Sequence, residues 1–276
     1  MFGFEIERLP TRYGTMCVVG EDSVIGRSLR IYGEWAQVEI ETLAALIPDG
    51  GVIVDIGANI GTHALAFASI KPRSTVIALE PQPLAFAMLA ANVIASGMSN
   101  IEPLNLAAGK ALAVIDPCTD YGKVGNNVGA VSLVGAGRAS AGTRAVPMTV
   151  VRLDDLPMGE TVRFMKIDVE GMEAEVLRGA LVMIVRDRPV IYFEVLTMAG
   201  LNACRRVLAP FGYELRWLET PAFNPDNFHA ETQNIWGHGE VGVLAMPAAD
   251  DARVRNLPLV TGNEATPPCL SFVQQD

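Results

Sequence analysis

Acidic residues end several apolar runs in this chain, and two of them flank a glycine turn. The first is Asp55, within Val54-Asp55-Ile56-Gly57-Ala58-Asn59-Ile60-Gly61, between a predicted strand and a predicted helix. Gly57 permits a sharp turn and lets a ligand approach the main chain. Gly61 lets the following helix pack close to the strand, and the helix start offers unpaired N–H groups. The second acid is Glu80, in Leu79-Glu80-Pro81, 25 residues after Asp55. A carboxylate at a second strand tip matches the two hydroxyls of a ribose.

A pyrophosphate-binding turn uses the spacing G-x-G-x-x-G at a helix N-terminus. Here the glycines stand four apart, and Asn59 occupies the middle position. An acid two residues before Gly57 is poorly suited to a pyrophosphate. It suits a ligand with a cationic amino end, such as the methionine part of S-adenosyl-L-methionine (SAM). An ordinary strand-to-helix turn accounts for the glycines alone, but not for Asp55 and Glu80 at successive strand ends. A nicotinamide-dependent oxidoreductase is the alternative enzyme, and a catalytically inactive SAM-binding protein is the alternative without turnover. His63, in the first turn after the glycine loop, either contacts the cofactor or caps the helix.

A further acidic cluster lies in Lys166-Ile167-Asp168-Val169-Glu170-Gly171-Met172-Glu173. Asp168 and Glu170 fall at the C-terminal edge of the predicted sheet, where ligands bind in open α/β folds. Glu173 sits in a first helical turn, where the macrodipole favours an acid. Lys166 shares a strand face with Asp168 and can pair with a buried carboxylate. Glu194 ends the next predicted strand. Methyl transfer asks the protein to align the acceptor and manage one proton. Asp168, Glu170 and Glu194 are the candidate bases. No histidine lies in that segment, and no metal is expected. His229 and His238 lie in an irregular stretch, Phe223–Gly239, that could form a lid; each reads more readily as a surface residue.

The elements that must position these groups alternate. Residues 12–32 carry turn signals and read as one or two short hairpins. Residues 35–47 read as a helix with Ile40, Leu43 and Ile47 on one face. Strands at 52–56, 75–79 and 101–106 are separated by helices at 62–71 and 83–96, the latter with Leu84, Met88 and Ala91 on one side. That order implies a parallel sheet with helices on both faces. Residues 110–150 read as an antiparallel β insertion. A strand at 162–167, a helix at 173–185, a strand at 190–195, a helix at 201–210 and late strands at 213–217 and 241–246 follow. The division expected is an N-terminal β extension at 1–34, one catalytic domain at 35–247, and a loose tail at 248–276.

The chain has 276 residues, half of them hydrophobic, with a net charge of −10. An acidic protein repels a phosphate backbone, so no nucleic-acid partner is expected. Cys17, Cys118, Cys204 and Cys269 are scattered, with no C-x-x-C pair. Neither a zinc site nor a disulfide framework follows. The first residues carry charges where a signal peptide needs an apolar run, and no stretch of 18 apolar residues appears. A cytoplasmic protein without a membrane span is expected. Homo-oligomer formation is left open.

Several of these segments together resemble the FkbM family of SAM-dependent methyltransferases. They are Tyr32-Gly33-Glu34, the 55–61 turn, Leu79-Glu80-Pro81, Leu153-Asp154-Asp155-Leu156, and the 166–173 block. Val176-Leu177-Arg178-Gly179-Ala180, Pro189 and Glu194 continue the match, which runs from about residue 12 to residue 247. The resemblance implies an α/β, Rossmann-like class I methyltransferase fold. It has a mostly parallel seven-stranded sheet with a reversed last strand. It also implies SAM as cofactor and O-methylation of a hydroxyl on a small molecule, natural product, sugar or glycan. Its cofactor residues fall here on Asp55, Gly57, Asn59, Gly61, Glu80 and Pro81, with Tyr32 and Glu34 in a segment able to close over the methionine end. Asp168 and Glu170 lie beside cofactor and acceptor. Two positions depart from the pattern: Gly242 stands where an Asn is expected, and Leu218 where a His is expected.

Overall fold

A computed structural model describes residues 5–20, 22–115, 147–247 and 253–262. The chain opens with an antiparallel hairpin, β1 (Ile6–Thr11) and β2 (Gly14–Val19). Two helices follow, α1 (Ile25–Tyr32) and α2 (Gln37–Leu46). Then come β3 (Gly51–Ile56), α3 (Thr62–Ile70), β4 (Ser74–Leu79), α4 (Pro83–Ser96) and β5 (Ile101–Leu104). Three short strands, β6 (Ala107–Ala108), β7 (Ala113–Ile115) and β8 (Met148–Val151), form a small separate sheet in the order β6-β8-β7. The alternation resumes with β9 (Val162–Ile167), α5 (Glu173–Arg178), α6 (Leu181–Asp187), β10 (Val190–Glu194) and α7 (Met198–Leu208). It ends with β11 (Tyr213–Pro221) and β12 (Gly239–Pro247).

The main sheet has seven strands in the order β11-β12-β10-β9-β3-β4-β5. All neighbours are parallel except those of β12, which runs against both β10 and β11. This is the class I methyltransferase arrangement, with its reversed last strand. The chain leaves β3 toward β4 on one side and returns to β9 on the other, so the switch point lies at the C-terminal end of β3. That is where an open α/β sheet binds its ligand.

The central strands are covered on both faces, and their residues alternate between two cores. Ile53, Val76 and Phe164 join a core under α2, α3 and α4. Val52, Val54 and Ile56 join a core under α5, α6 and α7. A strand buried on both faces reads as a continuous apolar run. Asp55 is the exception in β3, and it is fully buried. No helix among the described residues is long and apolar enough to cross a membrane.

The structure corrects several expectations. Residues 12–32 hold one hairpin arm and then helix α1, rather than further hairpins. The Arg30 guanidinium donates to the carboxyl of Glu7 and to the carbonyls of Val19 and Asp22, a tertiary tie no local pattern announces. On α4 the buried face is Ala85, Leu89, Asn92 and Val93, one position on from the expected stripe. Asn92 sets that rotation. Its side chain bonds the backbone of Cys17 in both directions and the carbonyl of Ile60, stitching β2 to α4. Strands β11 and β12 are longer than expected, because they pair with each other along nine residues. Residues 253–262 are no loose tail: the Trp217 N–H donates to the Pro258 carbonyl and the Val260 N–H to that of Leu215. The centre of the expected insertion, 116–146, lies outside the described residues.

The expected helix 173–185 is broken into α5 and α6 at Gly179-Ala180. A Cβ on Gly179 would lie 2.0 Å from the Gly109 carbonyl oxygen. The N–H groups of Val182 and Met183 are capped by Asp154, at 3.0 and 2.9 Å. The break therefore serves a close contact between two backbones. Gly179→Ala is expected to destabilise the protein by about 1–3 kcal/mol through overpacking. Gly97→Ala meets nothing within 4 Å, so it is expected to lose only about 1–2 kcal/mol from its left-handed backbone. Denaturant midpoints of the two variants check this; a smaller loss at Gly179 would show that the contact is not tight.

Candidate active site

The loops after β3 and β9 meet at the switch point. A Cβ on Gly57 would lie 1.8 Å from the Asp168 carbonyl oxygen, and Gly57 itself has φ +84°. Glycine is the residue that satisfies both conditions. The Asp168 N–H bonds the Ile56 carbonyl at 2.9 Å. The N–H groups of Gly57 and Ala58 both donate to the Leu79 carbonyl, each at 2.9 Å. Asn59, with φ +50°, donates its N–H to Glu80 Oε2 at 2.9 Å. Asn tolerates the left-handed backbone better than most residues, which explains it at the middle position of the turn. Gly61 packs against the side chains of Leu89 and Leu65 rather than against a strand, and it stands behind the site.

A cavity of about 360 Å³ opens at this edge. That volume falls in the range of small-molecule sites. Asp55, Gly57, Asn59, Glu80 and Pro81 line it. Asp168, Glu170 and Glu194 line it beyond. Three residues with left-handed backbone, Ala36, Asn59 and Glu170, all face it. Such backbone costs of order 1–3 kcal/mol each and gathers at functional sites.

The acids differ in their surroundings. Both Asp55 oxygens are buried without a hydrogen-bond partner among the described residues. Burial pushes its carboxyl up, although Lys166 nearby works the other way. Glu80 is also buried, and it accepts N–H bonds from Gln82 at 2.7 Å and from Asn59. Burial raises it to about 7 despite those donors. Lys166 donates to Asp168 Oδ2 at 2.9 Å. Burial alone would raise Asp168, but the ammonium wins and holds it below the usual carboxylate range. Glu194, bonded to Asp168, is pushed up by burial and by that negative neighbour, so it keeps its proton.

Several lining residues were missed at the sequence level. Glu39, on α2, accepts from the Tyr192 hydroxyl at 2.5 Å and contacts His63 Nε2 at 3.0 Å. His63 is thus buried in a network rather than capping its helix. Tyr192 explains the departure at Gly242. A Cβ there would lie 2.4 Å from the Tyr192 ring and hydroxyl, so the phenol occupies the space a side chain would use. Leu218, opposite Gly242 in β11, is core. Glu240, raised to about 7 chiefly by burial, also lines the cavity. So does Trp35, and so do Trp236 and the exposed His238, which lie in the stretch read as a possible lid. The alternation of 236, 238 and 240 was the one available signal.

Tyr32 and Glu34 are not brought to the cavity wall. Tyr32 Oη donates to the Gln233 carbonyl at 2.9 Å and accepts from the Ile235 N–H at 2.8 Å. Glu34 pairs with Arg12 at 2.7 Å and accepts from Asn224 and the Phe228 N–H. Both residues hold the 223–236 stretch that carries Trp236. Glu173 also stays outside, where it accepts from the Gly171 N–H at 2.8 Å. His229 is exposed, with Nδ1 3.2 Å from the Ile31 carbonyl.

The model of the methyltransferase FkbM domain matches residues 55–215, which is more than half of the chain. The chain belongs to the FkbM methyltransferase family. It is similar to Methyltransferase 1 of Beauveria bassiana (strain ARSEF 2860), with 30% identity over 151 residues, 49% of this chain and 60% of that protein. It is 27% identical to Methyltransferase sdnD of Sordaria araneosa over 162 residues, 49% of this chain and 62% of that one. The chain thus spans about 60% of the length of these curated relatives. Among solved structures, an FkbM methyltransferase from Methylobacillus flagellatus KT aligns with TM-score 0.48 and 17% identity, covering 71% of this chain and 44% of that one. A SAM-dependent O-methyltransferase from Thermotoga maritima aligns with TM-score 0.47 and 11% identity, covering 88% and 78%.

Two outcomes follow for this FkbM-family chain. Glu80 and Glu240 keep their protons to higher pH in the fold than in the unfolded chain. The folded state therefore binds more protons between about pH 4.5 and 7, and stability falls as pH rises through that window. Urea unfolding at about pH 5 and about pH 7.5 should show this fall, and Glu240→Gln should remove about 1–2 kcal/mol of it. An unchanged slope in the variant would contradict the assignment. Separately, Gly242→Asn should destabilise by about 1–3 kcal/mol. Adding Tyr192→Ala should cost less on that background than on the parent chain, since the two side chains compete for one space. Strict additivity would show that they do not.

Proposed function

We propose that this chain binds SAM at the switch point and transfers its methyl group to a hydroxyl of a small molecule, natural product or sugar. The observation that carries the reading is Asp55. A buried carboxylate with neither oxygen partnered is costly unless a ligand completes it. A ligand ammonium would do so. Glu80 fits the other end: each of its oxygens takes one backbone N–H and keeps a lone pair for a ribose hydroxyl. The dinucleotide alternative is disfavoured, because the N–H groups of residues 57, 58 and 59 are spent on Leu79 and Glu80 rather than free for a pyrophosphate. The acid-rich cavity would also repel one.

SAM, when bound, supplies a methyl group activated by its sulfonium. The protein's part is alignment and one proton. Asp168, held ionised by Lys166, accepts the hydrogen bond of the acceptor hydroxyl and takes its proton as the new C–O bond forms. Glu194, protonated, donates to Asp168 and fixes its orientation. Glu170 faces the same space from the same loop as Asp168 and is the second candidate base.

Calorimetry with S-adenosylhomocysteine tests the cofactor half of this reading. Binding is expected, and Glu80→Ala should weaken it by about 1–3 kcal/mol by stranding ligand hydroxyls. Asp55→Asn should weaken binding while raising the denaturation midpoint of the ligand-free protein, since it removes a buried charge. No heat of binding in the parent chain would end the SAM reading. A lowered midpoint in Asp55→Asn would show that the carboxylate is structural.

A further inference from the structure

Seven carboxyl groups line the cavity, against one lysine and two histidines. On the reading above, Asp55 and Glu80 belong to the cofactor. Lys166 is committed to Asp168 at 2.9 Å, and Glu39 to Tyr192 and His63. The acceptor therefore meets Glu194 and Glu240, together with Glu170, and the one lysine among the described lining residues is already bonded to Asp168.

These two acids share a face. Glu194 pairs with Gly242 across β10 and β12, and Glu240 stands two residues from Gly242 on β12. Directly opposed residues and those two apart point to one side of a sheet. Gly242 contributes no side chain between them, so this stretch of the wall is two carboxyl groups and the Tyr192 phenol. The wall continues outward in aromatic rings. Trp236 and His238 have ring centroids 6.0 Å apart, and Trp35 meets Trp236 edge-on at 5.8 Å. Trp236 already attracts a cation: Arg27, which is not a lining residue, lies over its ring at 5.6 Å. The Trp236 Nε1–H is buried without an acceptor among the described residues, so the site asks for a ligand oxygen as well.

Carboxylates next to aromatic faces select a desolvated ammonium, and an unmatched indole N–H selects a hydroxyl or ether oxygen. We propose that the methyl acceptor is a cationic hydroxyl compound, an amino sugar or amino alcohol, whose ammonium is held by Glu240, beside Glu194, and whose ring lies against Trp35 and Trp236. Anionic acceptors, whether phosphorylated or carboxylated, are excluded by the same wall. The raised carboxyl of Glu240 agrees, because a ligand ammonium beside it would displace the proton that burial leaves there. The inference rests on the SAM reading only in assigning Asp55 and Glu80 elsewhere.

The test measures the binding of glucosamine, 2-deoxystreptamine, glucose and glucose 6-phosphate by calorimetry, with and without saturating S-adenosylhomocysteine. At least one amine should bind about tenfold or more tightly than glucose, and the phosphate should not bind. Glu240→Gln should abolish the preference for the amine while leaving S-adenosylhomocysteine affinity unchanged, which also shows that the variant is folded. Trp236→Ala should weaken the amine and glucose alike. Equal binding of glucose or its phosphate, or no binding of either amine, overturns the proposal. Failure of S-adenosylhomocysteine to bind strikes the cofactor reading instead, and the amine preference is then read from the arm without it.

Discussion

The contact between the backbone of Gly57 and the carbonyl of Asp168 holds this site together. Two strand ends can approach that closely only if one carries no side chain. Their approach draws the loops after β3, β4 and β9 into one hydrogen-bonded knot, in which the N–H groups of the glycine turn are consumed by Leu79 and Glu80. The knot buries Asp55 completely. It also decides what the edge can bind, since a turn with its N–H groups spent is no longer an anion cradle.

Electrostatics follow from that burial. One ammonium, Lys166, sits among several carboxyls and cannot satisfy them all. It ionises Asp168 and leaves Asp55, Glu80, Glu194 and Glu240 shifted toward their neutral forms. Paired titratable groups pushed in opposite directions are the usual mark of acid–base work. The left-handed residues Ala36, Asn59 and Glu170 at the same cavity mark a backbone shaped for a ligand at a cost to stability.

The outer wall is built by a different device. Tyr32 and Glu34, from the N-terminal segment, hold the chain between β11 and β12 so that Trp236 and His238 reach the cavity. Tyr192 fills the place over Gly242. The protein thus substitutes a phenol from one strand for a side chain on its neighbour, and recruits Glu39 and His63 to support it.

The amino-acid sequence by itself determined the sheet and the edge at which its acids gather. Apolar runs, glycine turns and helical periodicity are local signals, and Asp55, Glu80, Asp168, Glu170 and Glu194 stand out because acids at the ends of buried strands have no structural reason to be there. The tertiary structure decided what depended on partners distant in sequence. Glu39 looks like an ordinary helix-surface acid until β10 brings Tyr192 to it from 153 residues away. Gly242 looks like a lost side chain until the same ring is seen in its space. The break at Gly179 needs Gly109, the rotation of α4 needs Cys17, and Tyr32 and Glu34 turn toward the 223–236 stretch rather than the cavity. Local chemistry can be read along a chain; which side chain meets which across the fold is set by packing, and packing is not written in any one segment.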